Sequence, residues 1–299
     1  MATILNRRNF LRRSSALLAA AQAGSLLRTA CAASSVPVGL GLYAVEEEWN
    51  KDPQGTLSAL AKMGYQVVEM WAPYLEWSAQ HAKDMRKIMD DLGMRCRSTH
   101  NNGPSFTAEG LPKAIELNHI IGSRDLIVSG NGMGEAMGQT GVSAGKITTI
   151  EGWKKIAGQL TSVSKKLQPA GLRIGYHNHP AEFLPIDGKL PMDVIAADTP
   201  KEVMLQLCVG ACVGSHADPV AFIKTNPGRI RHIHCKDWSP EKNYDVLFGE
   251  GVSPWPQVFA AAESVGGVEF YLIEQLGGSD LRTLKTARAN MANWKRLKG

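Results

Sequence analysis

Residues 174–183 read IGYHNHPAEF, a stretch that begins like a buried strand and turns polar at its end. On a strand successive side chains point to opposite faces, so His177 and His179 share one face while Tyr176 and Asn178 share the other. Two imidazoles therefore project together. Alone, the stretch fits a pair of hydrogen-bonded structural histidines as well as a metal or proton-transfer site, and the rest of the chain has to decide.

The pattern of a short apolar strand followed by an amphipathic helix repeats along the 299 residues. Strands are expected at 36–44, 65–71, 94–100, 125–130, 172–177, 203–209, 230–236 and 269–275. Helices are expected at 56–63, 81–92, 111–121, 150–167, 218–225, 254–265 and 280–297, with a short segment at 191–197. Gly or Pro marks most joints, among them Gly64, Gly93, Gly122, Gly171, Pro227-Gly228 and Gly266-Gly267. Eight such units in roughly 265 residues predict an α/β chain closed into a (β/α)8 TIM barrel. A doubly wound open sheet is the alternative, but no Gly-rich phosphate turn follows the first strand. The one long irregular loop, 130–145, follows strand four and would lie on the active face.

Residues 1–33 read differently. Asn6-Arg7-Arg8-Asn9-Phe10-Leu11 carries a twin arginine before Phe-Leu, an apolar region follows at 16–27, and small residues surround Cys31. This layout predicts a twin-arginine export signal cleaved after Ala32 or Ala33, a mature 34–299 single catalytic barrel, and a periplasmic location. Arg7, Arg8, Arg12, Arg13 and Arg28 are the only charges in that segment, so their removal takes the formal charge of +5 to zero. A neutral body gives no electrostatic case for nucleic acid or an anionic membrane as partner. No apolar run in the mature part reaches the roughly 18 residues of a membrane span. The expected partner is a small molecule, with room for a homo-oligomer. Cys96, Cys208, Cys212 and Cys235 are too few and too irregular for a disulfide framework.

In such barrels the chemistry sits at the carboxyl ends of the strands. Strand two carries Glu69 near its end, strand three ends in His100-Asn101-Asn102, strand five in His177 and His179, strand six in Cys208, strand seven in His234 and strand eight in Glu274. Parity agrees, because Gln206 and Cys208 oppose Leu205 and Leu207, and His232 and His234 oppose Ile233 and Cys235. His232 is read as a lower-layer core histidine, and His81, His119 and His216 as helix or loop residues. Cys96 and Cys235 are read as packing residues. Imidazoles from two strands with a carboxylate from a third are the ligand types of a divalent transition metal.

YHNHPAEF (176–183), GSHADPVAFIKTNPGRI (214–230), GRIRHIHCKDW (228–238), FGEG (248–251) and YLIEQ (271–275) together resemble the xylose isomerase-like TIM barrels of the sugar phosphate isomerase/epimerase family. The resemblance covers residues 36–299. It implies one divalent ion, zinc or manganese with magnesium or cobalt as further options, held by His177, Cys208, His234 and Glu274. Cys208 departs from the family, which has Asp there, and sulfur favours zinc over manganese or magnesium. The resemblance further implies Glu274, Glu182, His100, His179 and Lys236 as catalytic or substrate-contacting groups, and Glu69, Asn101, Trp71 and Trp238 as substrate-binding residues.

The implied reaction is isomerisation or epimerisation of a keto-sugar by proton transfer through an enediolate, which a divalent ion stabilises as a Lewis acid. The same enolisation can end in loss of the group β to the carbonyl, which makes a 3-keto-glycoside lyase or hydratase the second reading. A sugar-binding barrel that has lost its metal is the third, and Cys208 and Ala211 are its argument. The family's DNA endonuclease branch is disfavoured by the neutral charge and the export signal.

Overall fold

The computed structural model describes residues 36–129, 147–278 and 281–298. The expected export signal, the expected 130–145 loop and the expected first residue of the last helix lie outside the described residues. Eight parallel strands follow one another around a closed barrel in chain order. They are β1 (Val38–Gly41), β2 (Val67–Trp71), β3 (Arg95–Asn101), β4 (Asp125–Ser129), β5 (Arg173–His177), β6 (Met204–Cys208), β7 (His232–Cys235) and β8 (Phe270–Ile273). Each expected strand is present, most of them a residue or two shorter at one or both ends. The excess at β1 is larger, because the chain turns at once into a 3-10 helix, Leu42–Val45.

The helices outside the barrel are α1 (Glu46–Lys51), α2 (Pro53–Met63), α3 (Ala79–Asp91), α4 (Gly110–Ile121), α5 (Ile150–Leu167), α6 (Pro191–Asp198), α7 (Val209–Gly214), α8 (Pro219–Thr225), α9 (Trp255–Ala261) and α10 (Leu284–Lys298). The longest, α5, shows why they form. Thr149 caps it by accepting from the Gly152 N–H at 3.1 Å, and Trp153, Ile156, Ala157, Leu160, Val163 and Leu167 make a buried stripe at helical spacing. Helix α2 ends where Gly64 takes a φ of 105°, a left-handed cap that a Cβ would strain. No described helix is long and apolar enough to cross a membrane.

The floor of the barrel is charged. Arg173, at the start of β5, donates Nε to Asp125 Oδ1 (2.6 Å) and Nη2 to Oδ2 (2.8 Å), and reaches Glu269 through Nη1 (2.8 Å). Arg231 also donates to Glu269, and His232 contacts Asp125 Oδ2 at 2.9 Å while stacking on Phe270. Burial pushes the Asp125 carboxyl up, but His232 and Arg173 outweigh it and hold it at about 2. His232 is thus a lower-layer residue. Among the described residues, Asp125, His232 and Glu269 are the trio whose ligand atoms all fall within 4.8 Å of one another. Arg173 already fills the space between the two carboxylates with its own positive charge, so the trio serves as an ion-paired floor.

Candidate active site

The opposite end of the barrel opens into a cavity of about 440 Å³. Strand order alone brings its groups together: Glu69 comes from β2, His100 from β3, His177 from β5, Cys208 from β6, and Glu274 follows β8. His179, Lys236, Asn101 and Trp71 line it too. His234 lies beneath the wall, fully buried, with its ring centroid 4.6 Å from that of His177. The ring of His100 is 5.0 Å and that of His179 5.2 Å from His177, so four imidazoles converge.

Glu69 organises them. A register shift between β2 and β3 passes over Arg97 and sets Ser98 opposite Glu69. Ser98 Oγ donates to Glu69 Oε2 at 2.6 Å, Gln206 Nε2 donates to the same oxygen at 2.7 Å, and His234 Nε2 pairs with Oε1 at 2.9 Å. Burial raises the Glu69 carboxyl, but the His234 charge and these donors more than reverse it, to about 2. His234 Nδ1 meets Glu274 Oε2 at 3.1 Å. Burial disfavours its charged form, yet the carboxylates of Glu274 and Glu69 hold its pKa well above the usual histidine value, making it an imidazolium. Glu274 is in turn lowered by His234 against the opposing effect of burial. The remaining imidazoles are neutral. Burial, and then the neighbouring positive charges, lower His177 strongly and His179 to about 4, while at His100 burial lowers the pKa against the carboxylates of Glu69 and Glu274.

Ring nitrogens are left open among the described residues. His100 Nε2 and His179 Nδ1 are buried with no hydrogen-bond partner. His177 spends Nδ1 on Gln206 Oε1 at 2.8 Å, which leaves its Nε2. The donor chemistry fits a divalent transition ion. His234 Nδ1 and Glu274 Oε2 stand as far apart as two neighbouring ligands on an ion with bonds of about 2.0–2.2 Å. Each predicted histidine ligand has its other nitrogen held by an outer partner, as metal-binding histidines do. The predicted set of four does not close within 4.8 Å and burial raises the Cys208 thiol, so His177, Cys208, His234 and Glu274 would hold an ion only with His234 and the thiol deprotonated.

Several expected site residues do other work. Glu182 does not line the cavity: its Oε1 accepts from the Tyr176 hydroxyl at 2.7 Å and its Oε2 from the His179 backbone N–H at 2.9 Å. It is fully buried, and burial pushes its carboxyl to about 7. Its geometry positions His179, so the expected proton-transfer role has no access to the cavity. Trp238 also lies off the cavity, beside Gly214 and His216. Asn101 lines it, but its amide is spent on Thr99 and on the Tyr74 hydroxyl. Trp71 stays on the rim, edge-on to Tyr43 and Trp49.

Four supporting residues escaped the sequence reading. Asn178 clamps Cys208 by accepting from its N–H at 2.9 Å and donating to its carbonyl at 3.3 Å. Asp237, fully buried, accepts from the backbone N–H groups of Trp238, Gly249, Gly251 and Ser253 and from the Trp255 indole. Gln275 Nε2 donates to the Asp237 and Tyr244 carbonyls, holding the lip where Lys236 sits 4.2 Å over the Tyr244 ring. Gln206 is the fourth, and its inward parity with Cys208 was the available signal. The space itself comes from β1: a Cβ on Gly41 would lie 2.8 Å from Glu274 Oε1.

Comparison with known proteins agrees with this architecture. The chain is 24% identical over 188 residues to the rhizopine catabolism protein MocC of Rhizobium meliloti, covering 60% of this chain and 56% of that protein. It is 26% identical over 188 residues to inosose dehydratase 2 of Bacillus cereus, covering 56% and 62% respectively. The chain thus spans little more than half the length of these relatives. In structure it superposes on a sugar phosphate isomerase/epimerase from Parabacteroides distasonis with a TM-score of 0.70 at 22% identity, over 88% of this chain and 94% of that one. A probable 3-DHS dehydratase, AsbF, from Bacillus anthracis superposes with a TM-score of 0.66 at 11% identity, over 87% and 98%. Those identities speak for the fold alone. The profile of one family, however, matches residues 57–296, from the second helix of the barrel to its last, and by that match the chain belongs to the xylose isomerase-like TIM barrel family.

Proposed function

We propose that the chain is a carbohydrate enzyme that removes a proton from a carbon next to a carbonyl. The observation that carries this reading is an ionised carboxylate, Glu274, in the same cavity as two neutral imidazoles with unpartnered nitrogens, His100 and His179. A carboxylate kept ionised at the cavity wall has the free lone pairs needed to take the proton. The imidazoles can return it to carbon or pass one to a departing oxygen. Lys236, with no carboxylate paired to it among the described ion pairs, adds a positive charge where negative charge develops on the substrate oxygen. His177, His234, Glu274 and Cys208 would hold one divalent ion, zinc by the preference of sulfur, which supplies Lewis-acid stabilisation of an enediolate when bound.

Return of the proton gives isomerisation or epimerisation of a keto-sugar. Expulsion of the β-hydroxyl gives dehydration, a second reading favoured by the names of the inosose dehydratase relatives. Incubation with a keto-sugar or an inosose in D2O separates the two. Deuterium on the α-carbon of recovered sugar is expected for the first, and an unsaturated ketone absorbing in the ultraviolet for the second. Neither exchange nor product across a panel of such ketones would leave the sugar-binding barrel as the better reading.

We further infer that the protein reaches the periplasm by twin-arginine export, on the strength of Arg7 and Arg8. With both changed to Lys, the uncut precursor is expected to stay in the cytoplasm. Mature protein in the periplasm at unchanged yield would refute this.

A further inference from the structure

We propose that Gln206 is a positioning residue that selects the tautomer of His177, acting under the control of Glu69, so that the bare Nε2 of His177 faces the cavity. The argument follows the hydrogen bonds inward. An amide can present either end, and only its partners decide which. Gln206 is fully buried, and one end of its amide faces Glu69 Oε2 at 2.7 Å. Glu69 already accepts from Ser98 and His234 and has no proton to give, so the NH2 end must face it. The carbonyl end then faces His177 Nδ1 at 2.8 Å, where it can only accept. That nitrogen must carry the ring proton. The ring packs among those of His100, His179 and His234. With its proton on Nδ1, the neutral ring leaves Nε2 as a lone pair.

The same carboxylate also takes the Nε2–H of His234 and turns its Nδ1 toward Glu274. One side chain on β2 thus sets two histidines, one directly and one through a glutamine on β6. The register shift at Arg97 belongs to the device, since it delivers Ser98 to the remaining position on Glu69. The bare nitrogen can accept a proton or bind a cation, and only that consequence rests on the function proposed above.

The test is the nitrogen spectrum of the histidine rings in full-length protein labelled with 15N-histidine, as purified and again after chelation of metal, with His177 assigned by its loss in His177→Gln. Wild type is expected to show His177 protonated on Nδ1 in both states. A proton on Nε2 overturns the proposal, whatever the variants do. In Gln206→Met the Nδ1–H form should lose its dominance, and activity on the ketone panel should fall about 10- to 100-fold, the usual effect of removing an outer partner. In Glu69→Gln the Gln206 amide is free to turn over, and a mixture of both tautomers is expected. Retention of a pure Nδ1–H form in either variant would show that something else sets it. A negative result in the ketone assay leaves these spectra unaffected, so the two claims fail separately.

Discussion

Glu274→Gln is expected to lower turnover by about 10²- to 10⁴-fold, the usual contribution of a positioned general base, while the barrel stays folded. The substitution preserves shape, and the new amide oxygen can still accept from His234 Nδ1, so the hydrogen bond at 3.1 Å survives. What is lost is the negative charge. It also leaves His234 with one carboxylate instead of two, weakening the hold on its second proton. The measurement is α-proton exchange in D2O beside a thermal melt. A variant with full exchange would move the base to His100 or His179, and a variant that melts far below wild type would show that Glu274 supports the fold.

Arg173→Met is expected to cost about 3–5 kcal/mol of stability at neutral pH, because it removes one partner of a buried ion pair and leaves the other charged. Asp125 is 1% exposed, and without the guanidinium only His232 faces it. The pH dependence carries the sign. Asp125 and Glu269 are both held at about 2, below the usual carboxylate range. Their contribution is therefore complete above about pH 5 and is lost as pH falls from there toward 2. Denaturant unfolding between pH 7 and pH 2 should show a steep acid loss in wild type and a shallower one in Arg173→Met. Equal stability at pH 7 would mean that the floor is not held by this arginine.

The barrel was legible because its strands alternate against glycine-marked helix ends, and the rim was legible because polar residues gather where apolar strands stop. The misses have local causes. Helix α7, VGACVG, follows β6 without a polar break and reads as more strand, while α1, EEEWNK, has one buried residue and no stripe to find. Glu182 was placed in the cavity by the family resemblance, and the local alternation of side chains shows why it lies elsewhere. Tyr176 points away from His177, and the carboxylate that accepts from its hydroxyl has to lie on that outer side. Asp237 and Gln275 were visible only as family letters, because what they bind is backbone many residues away.

The glycine on β1 has a meaning for how this cavity could be retuned. Other lining positions can be altered by exchanging one side chain for another, but position 41 has no latitude of that kind: the first carbon added there meets the oxygen of Glu274. Specificity and reactivity are thus tied at one point. A lineage that shrinks its substrate from this side must shift its carboxylate in the same step, so new specificities are easier to reach from a lining position such as Ala211, which already carries a Cβ and has no part in the site proposed above.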